Sequence, residues 1–206
     1  MTNPTTYVSR NIRAMATAPG PGCPGEWCTL RAYGVTGYLN SIQRCSGDVS
    51  EALLQDTHAI LALKTETRYQ ADVVIEWAHR LLPLVRPLLK DNSVIVCVPP
   101  SSTRGHLAGI QLVALAVAVC LEVEFAFDGL QRVNPVPISV ERDRRDRSTH
   151  RASIAVDPGI AGKHVILLDD VLVSGTTLGV CAELLVGVGA ASVAGVTLAH
   201  SCEGYA

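Results

Sequence analysis

The chain has 206 residues, of which 48% are hydrophobic and 17% charged, with a formal net charge of −2. That is room for one α/β domain with a sizeable core and a small appendage. A net charge so near zero excludes a global positive field that would hold nucleic acid by its backbone, and 4% aromatics argues against a stacking platform for single strands.

Residues 1–20 contain no apolar stretch of the kind a signal peptide needs. The longest apolar run, 107–121, is interrupted by Gln111 and falls short of the roughly 20 apolar residues that span a bilayer. A soluble, cytoplasmic protein with no membrane partner is therefore expected. The seven Cys are an odd, irregularly spaced set. Cys97, Cys120 and Cys181 lie in apolar segments and read as small core residues, with no sign of a secreted disulfide framework.

Residues 1–48, with the Pro/Gly cluster from Ala18 to Gly25, read as an irregular N-terminal region, and 49–206 as the folded domain. Ser50 is placed to cap a helix from Glu51 to about Lys64. Val73, Val74, Trp77, Ala78 and Leu81 fall at helical spacing within 68–82, with Pro83 and Pro87 disturbing the end. Residues 93–98 (SVIVCV) form a short apolar, β-branched run of the kind buried in parallel sheets. A helix over 105–120 follows, and then a strand candidate over 122–127.

Residues 128–162 are polar and rich in arginine: Arg132, Arg142, Arg144, Arg145, Arg147 and Arg151. A connection of that length inside a domain is usually functional or mobile. The pattern then resumes with a strand over 164–168, a helix over 176–188 and a strand over 191–198. Strands alternating with helices predict a central parallel, twisted sheet flanked by helices on both faces.

The chemistry sits after the 164–168 strand, where open α/β sheets bind ligands. The segment reads Asp169-Asp170-Val171-Leu172-Val173-Ser174-Gly175-Thr176-Thr177. Adjacent carboxylates at a strand's carboxyl end accept hydrogen bonds from vicinal hydroxyls, and they suit a sugar diol or a magnesium ion. Ser174 to Thr177 opens a helix, and the backbone amides there, with three hydroxyls, make an anion cradle. Gly175 allows close backbone approach. A diol site one short loop from a phosphate site has the shape of ribose 5-phosphate. Separately, the Asp pair would be an acidic turn and Ser-Gly-Thr a capped helix; together, after an apolar strand, they read as a binding site. A P-loop is excluded because no Gly-Lys-Ser/Thr follows the glycine.

Residues 165–177 (VILLDDVLVSGTT) resemble the phosphoribosyl pyrophosphate (PRPP) signature of type I phosphoribosyltransferases, departing at Val173, where Thr or Ala is common. Leu61 to Lys64 and residues 98–105 (VPPSSTRG) resemble the ComF-like branch of that family, so the likeness spans about Ala59 to His200. The resemblance implies a type I core with a flexible hood loop over 128–162. It also implies an enzyme of nucleotide metabolism, a PRPP-dependent glycosyltransferase (pentosyltransferase) acting on small molecules. Such an enzyme moves 5-phosphoribosyl from PRPP to an acceptor, in this family a nitrogenous base, and releases pyrophosphate.

In that reading Asp169 and Asp170 hold the ribose hydroxyls, and Val173, Ser174, Gly175, Thr176 and Thr177 hold the 5-phosphate. Pro100, Ser101, Ser102 and Arg104 form a pyrophosphate loop, with Lys64 in a similar role. Arg142 is a catalytic candidate from the hood, among Arg144, Arg145, Arg147 and His150. The bland reading of 99–104 is a Pro-kinked turn, that of Lys64 a solvated charge, and that of the hood arginines a soluble loop. Magnesium would arrive mostly with the substrate and meet Asp169. Zinc is not expected, because Cys23, Cys28 and Cys45 do not make a four-ligand set and His58 adds no telling spacing. Family analogy suggests a homodimer. The rival readings are a non-catalytic PRPP- or nucleotide-binding regulator, a ComF-like accessory protein, and a hydrolase of a ribosyl phosphate.

Overall fold

A computed structural model describes residues 8–15, 27–39, 49–65, 71–100, 109–134 and 147–201. The strands are β1 (Val8–Met15), β2 (Trp27–Tyr38), β3 (Ser93–Cys97), β4 (Glu124–Phe125), β5 (Leu130–Arg132), β6 (Ile154–Val156), β7 (His164–Leu172) and β8 (Ser192–Ser201). The helices are α1 (Glu51–Thr65), α2 (Ala71–Val85), α3 (Gly109–Leu121), α4 (Arg147–Ala152) and α5 (Thr176–Gly187).

Six strands form one sheet in the order β1-β2-β8-β7-β3-β4. β2, β8, β7, β3 and β4 are parallel, and β1 runs antiparallel on the edge beside β2. The expected mixed α/β fold, a parallel sheet with helices on both faces, is what the chain forms. Two apolar layers cover the sheet. On one face Ile95 and Cys97 of β3 and Ile166 and Leu168 of β7 pack with Ile60, Trp77, Leu81, Val113 and Val117 from α1, α2 and α3. On the other, Val94, Val96, Val165 and Leu167 pack with Leu178, Cys181 and Leu185 of α5. Residues of alternating facing and uniform apolarity are what a strand buried on both faces requires.

Several local expectations are met by identifiable contacts. The Ser50 hydroxyl caps α1 by accepting from the Leu53 amide at 3.3 Å. α2 passes through Pro83 and ends three residues later than expected, because Leu84 and Val85 are buried and hold the last turn onto the core. It closes in a 3₁₀ turn, Arg86–Leu88, that accommodates Pro87.

Other expectations are corrected. Residues 1–48 are not irregular throughout: β1 and β2 lie in the main sheet, and β2 pairs with β8 from Ala32↔Gly195 to Tyr38↔Ser201. Leu30, Ala32 and Val35 are buried there, and their spacing alone does not give the alternation by which a strand is recognised. β4 is shorter than the 122–127 run. The polar stretch 128–162 has fixed ends, since β5 and β6 pair antiparallel with Leu130 and Ile154 buried, and α4 precedes β6. Cys97 and Cys181 are buried as expected, whereas Cys120 is exposed on the outer side of α3. No helix among the described residues is long and apolar enough to cross a membrane.

Candidate active site

The parallel strands end along one side of the sheet, and the predicted chemistry gathers there. β7 runs on to Leu172, past the expected end at Leu168, because Val171 and Leu172 are buried and continue the ladder with Ala199 and His200. The Asp pair therefore stands within the strand, held by sheet hydrogen bonding. Each carboxylate also accepts the next amide along the chain: Asp169 from Asp170 at 2.9 Å and Asp170 from Val171 at 2.5 Å.

Successive strand residues face opposite ways, and the two acids meet different surroundings. Asp170 accepts an ion pair from Lys64 in the last turn of α1, Nζ to Oδ1 3.0 Å. The Lys64 ammonium also lies 5.8 Å from the centre of the Tyr38 ring, at the end of β2. Burial pulls Lys64 toward losing its proton, but Asp170, with Asp169 and Tyr38 behind it, more than offsets this and raises its pKa. Asp169 is the more deeply set. Burial, and then the Asp170 charge, push its carboxyl up to about 7, against the pull of Lys64, the Asp170 amide and Arg132.

Val173, Ser174 and Gly175 turn the chain from β7 into α5. Gly175 caps the helix at φ 77°, ψ 1°, a left-handed conformation that glycine takes without strain. The Ser174 and Thr176 hydroxyls lie 3.1 Å apart, and the Gly175 carbonyl accepts from Gly179 at 2.8 Å to begin the helix. The first amides of any helix have no partner within it, so this turn presents donors and hydroxyls at the positive end of α5. Val173 is exposed at the rim.

Arg132 borders the site from β5. Its guanidinium donates to the Pro100 carbonyl at 3.1 Å, the Pro99 carbonyl at 3.2 Å and the Ser153 hydroxyl at 2.6 Å. Farther along α5, Glu183 is 5% exposed and pairs with Arg147 and with Arg151, the latter at 3.5 Å, so α4 is seated on α5. Burial pushes the Cys97 and Cys181 thiols up, which leaves them unreactive neighbours of the acids.

Residues 107–205, which include this whole segment from α3 to the end of β8, match the family model described as phosphoribosyl transferase domain. The match takes in just under half of the chain. Among solved structures, the chain is similar to a hypoxanthine phosphoribosyltransferase from Staphylococcus aureus, at 16% identity over 68% of this chain and 70% of that one, with a TM-score of 0.43. A hypoxanthine-guanine phosphoribosyltransferase from Bacillus anthracis shows 16% identity over 66% and 74%, with a TM-score of 0.44. A Trypanosoma cruzi hypoxanthine phosphoribosyl transferase shows 16% over 71% and 67%, with 0.43. No curated protein matches the chain. Likenesses this distant decide nothing about substrate.

Within the matched stretch, the fold brings together Asp169, Asp170 and the Ser174–Thr177 turn, and α1 adds Lys64 from outside it. Pro100 stands at the end of β3, bound to Arg132. Ser101, Ser102, Arg104, Arg142, Arg144 and Arg145 lie outside the described residues, as do Cys23 and Cys45; Cys28 falls in β2. Arg147 and His150 lie in α4, with Arg147 committed to Glu183 and His150 buried. Arg132, Tyr38 and Glu183 were not singled out by sequence reasoning. Arg132 is one of six arginines in its stretch and nothing local marks it. Glu183 had a signal: it is the only charged residue of α5.

Proposed function

We propose that the chain is a cytoplasmic enzyme of nucleotide metabolism that transfers 5-phosphoribosyl from PRPP to an acceptor nitrogen and releases pyrophosphate. The observation that carries this reading is the placement of the Asp169–Asp170 pair and the Gly175-capped anion turn on one strand-to-helix connection. The bond from ribose C1 to the diphosphate oxygen breaks, and one from C1 to the acceptor nitrogen forms. A sugar cation that develops at C1 calls for positioning and electrostatic stabilisation more than for covalent chemistry.

In this reading the Ser174–Thr177 amides and hydroxyls fix the 5-phosphate. The two carboxylates accept from the ribose 2- and 3-hydroxyls, which orients C1 toward the carboxyl end of β3. Pro99 and Pro100 stand beyond that end, and the 99–104 segment they open is the part proposed to meet the diphosphate. Lys64, 3.0 Å from Asp170, keeps that carboxylate oriented and sets a cation beside the anionic ligand. Among the described residues no three His, Cys, Asp or Glu side chains converge on one point. Magnesium would arrive mostly with the substrate, and Asp169 would be the residue that helps to hold it. Magnesium commonly binds through one or two carboxylates plus substrate phosphates. When bound it neutralises charge on the leaving group.

Calorimetric titration with PRPP and magnesium, set beside ribose 5-phosphate and ATP, tests the reading. Magnesium-dependent PRPP binding, tighter than that of either comparator, is expected. Acceptor bases are then screened for pyrophosphate release, and the products are analysed: transfer yields a new nucleotide, hydrolysis yields free ribose phosphate. A folded sample that ignores PRPP would overturn the reading.

A further inference from the structure

The ladder between β3 and β7 ends just where the sequence turns to Pro99-Pro100, after the Val98 amide donates to the Leu168 carbonyl at 2.8 Å. Two successive prolines bring two carbonyls and no N–H donors, so the sheet cannot fix this backbone by continuing the ladder. Arg132 does so instead. Its Nε and one Nη reach the Pro100 and Pro99 carbonyls, while the other Nη reaches Ser153. The Ser153 hydroxyl donates in turn to the His150 carbonyl at the end of α4, at 2.8 Å. One planar fork thus ties the end of β3, strand β5 and the turn after α4 into a single unit. The geometry is specific to guanidinium, because an ammonium is a point charge that cannot span three acceptors in a plane.

We propose that Arg132 is a positioning residue for the diphosphate side of the site: it sets the Pro99–Pro100 backbone without itself touching ligand. The inference rests on the reading of the site as one for PRPP. It separates the site into two halves with different supports. The ribose 5-phosphate half stands on β7 and the first turn of α5, where Arg132 acts through its charge on Asp169. The diphosphate half stands on the end of β3, whose following backbone the Arg132 hydrogen bonds hold.

The test compares wild type with R132M and R132K, each checked for cooperative thermal unfolding, by calorimetry with magnesium-PRPP and with ribose 5-phosphate. Wild type is expected to prefer PRPP. R132M is expected to lose that preference by roughly tenfold, the effect of removing one or two charge-assisted hydrogen bonds. R132K keeps the charge that acts on Asp169 but not the fork, and is expected to lose most of the preference too, with ribose 5-phosphate affinity held within about twofold. A general structural defect would weaken both ligands together. If R132M does not fold, R132K and S153A decide the matter, S153A shifting the ratio the same way by a smaller factor.

A wild-type preference that the folded variants retain overturns the inference and leaves the PRPP reading standing. Equal binding of the two ligands by wild type removes the diphosphate half, and the inference with it. No binding of either ligand removes the PRPP reading itself, and the role of Arg132 falls with it.

Discussion

At Asp169 the demands of function and of stability oppose each other. The carboxyl's ordinary value is 3.8, and burial with the adjacent Asp170 raises it to about 7. The folded chain therefore holds this proton more tightly than the unfolded chain, and stability contributed at this site falls as pH rises between those values. Asp169→Asn removes the cost. In metal-free protein at pH 8 the variant should unfold at a higher temperature than wild type, by an amount on the order of 1 kcal/mol, and the gain should vanish near pH 4. Calorimetric melts at the two pH values check it. For ligand the same residue works the other way. D169N/D170N should lose PRPP affinity by roughly 100-fold or more while melting cooperatively, because two charged acceptors for hydroxyls are gone. Unchanged affinity in the folded double variant would remove the diol assignment.

Among the elements, two contacts place parts of the site. Glu183 joins α5 to α4 through Arg147 and Arg151. A buried ion pair is weak evidence for stability, but removing one partner is costly. The arginines are half exposed and can rehydrate, so Glu183→Ala should cost about 1–2 kcal/mol rather than more. The loss should be local, visible as faster amide exchange in Arg147–Ala152 with β3 and β7 unchanged. The second contact is the start of α3, where a Cβ added to Gly109 would meet the Leu63 carbonyl at 2.4 Å. Leu63 precedes Lys64, so Gly109→Ala must push α1 away or distort it. Denaturant titration should show a loss of about 1–3 kcal/mol. PRPP affinity should fall with it as the Lys64–Asp170 pair opens.

For the molecule as a whole, the sheet does not respect a boundary at residue 48. β2 covers the edge of β8, and Leu30, Ala32 and Val35 complete both apolar layers. A fragment of residues 49–206 would expose the long, apolar β8 as an open edge, which is a template for association. It should be aggregated or non-cooperative in thermal melts and size-exclusion chromatography. A monomeric fragment with the full-length melting temperature would show that the first 48 residues are dispensable for folding. The Arg132 clamp belongs to this scale as well, because its acceptors come from segments more than twenty residues away on one side and more than thirty on the other.

By itself the sequence determined whatever depends on near neighbours in the chain. The β3 and β7 runs, the cap at Ser50, and the order acid pair, turn, helix opening at Ser174–Thr177 follow from local periodicity and from which residues tolerate which backbone angles. The β/α alternation then dictates a parallel sheet whose strand ends gather at one side. Tertiary structure decided what depends on distance in sequence. Only the packing of α1 brings Lys64 to Asp170. Only the sheet's need to cover β8 recruits β1 and β2 from a region whose composition reads as irregular. Arginines in one polar stretch look alike until the fold offers one of them a pair of proline carbonyls. Burial, which raises Asp169, is likewise a property of the folded surroundings, and no local pattern encodes it.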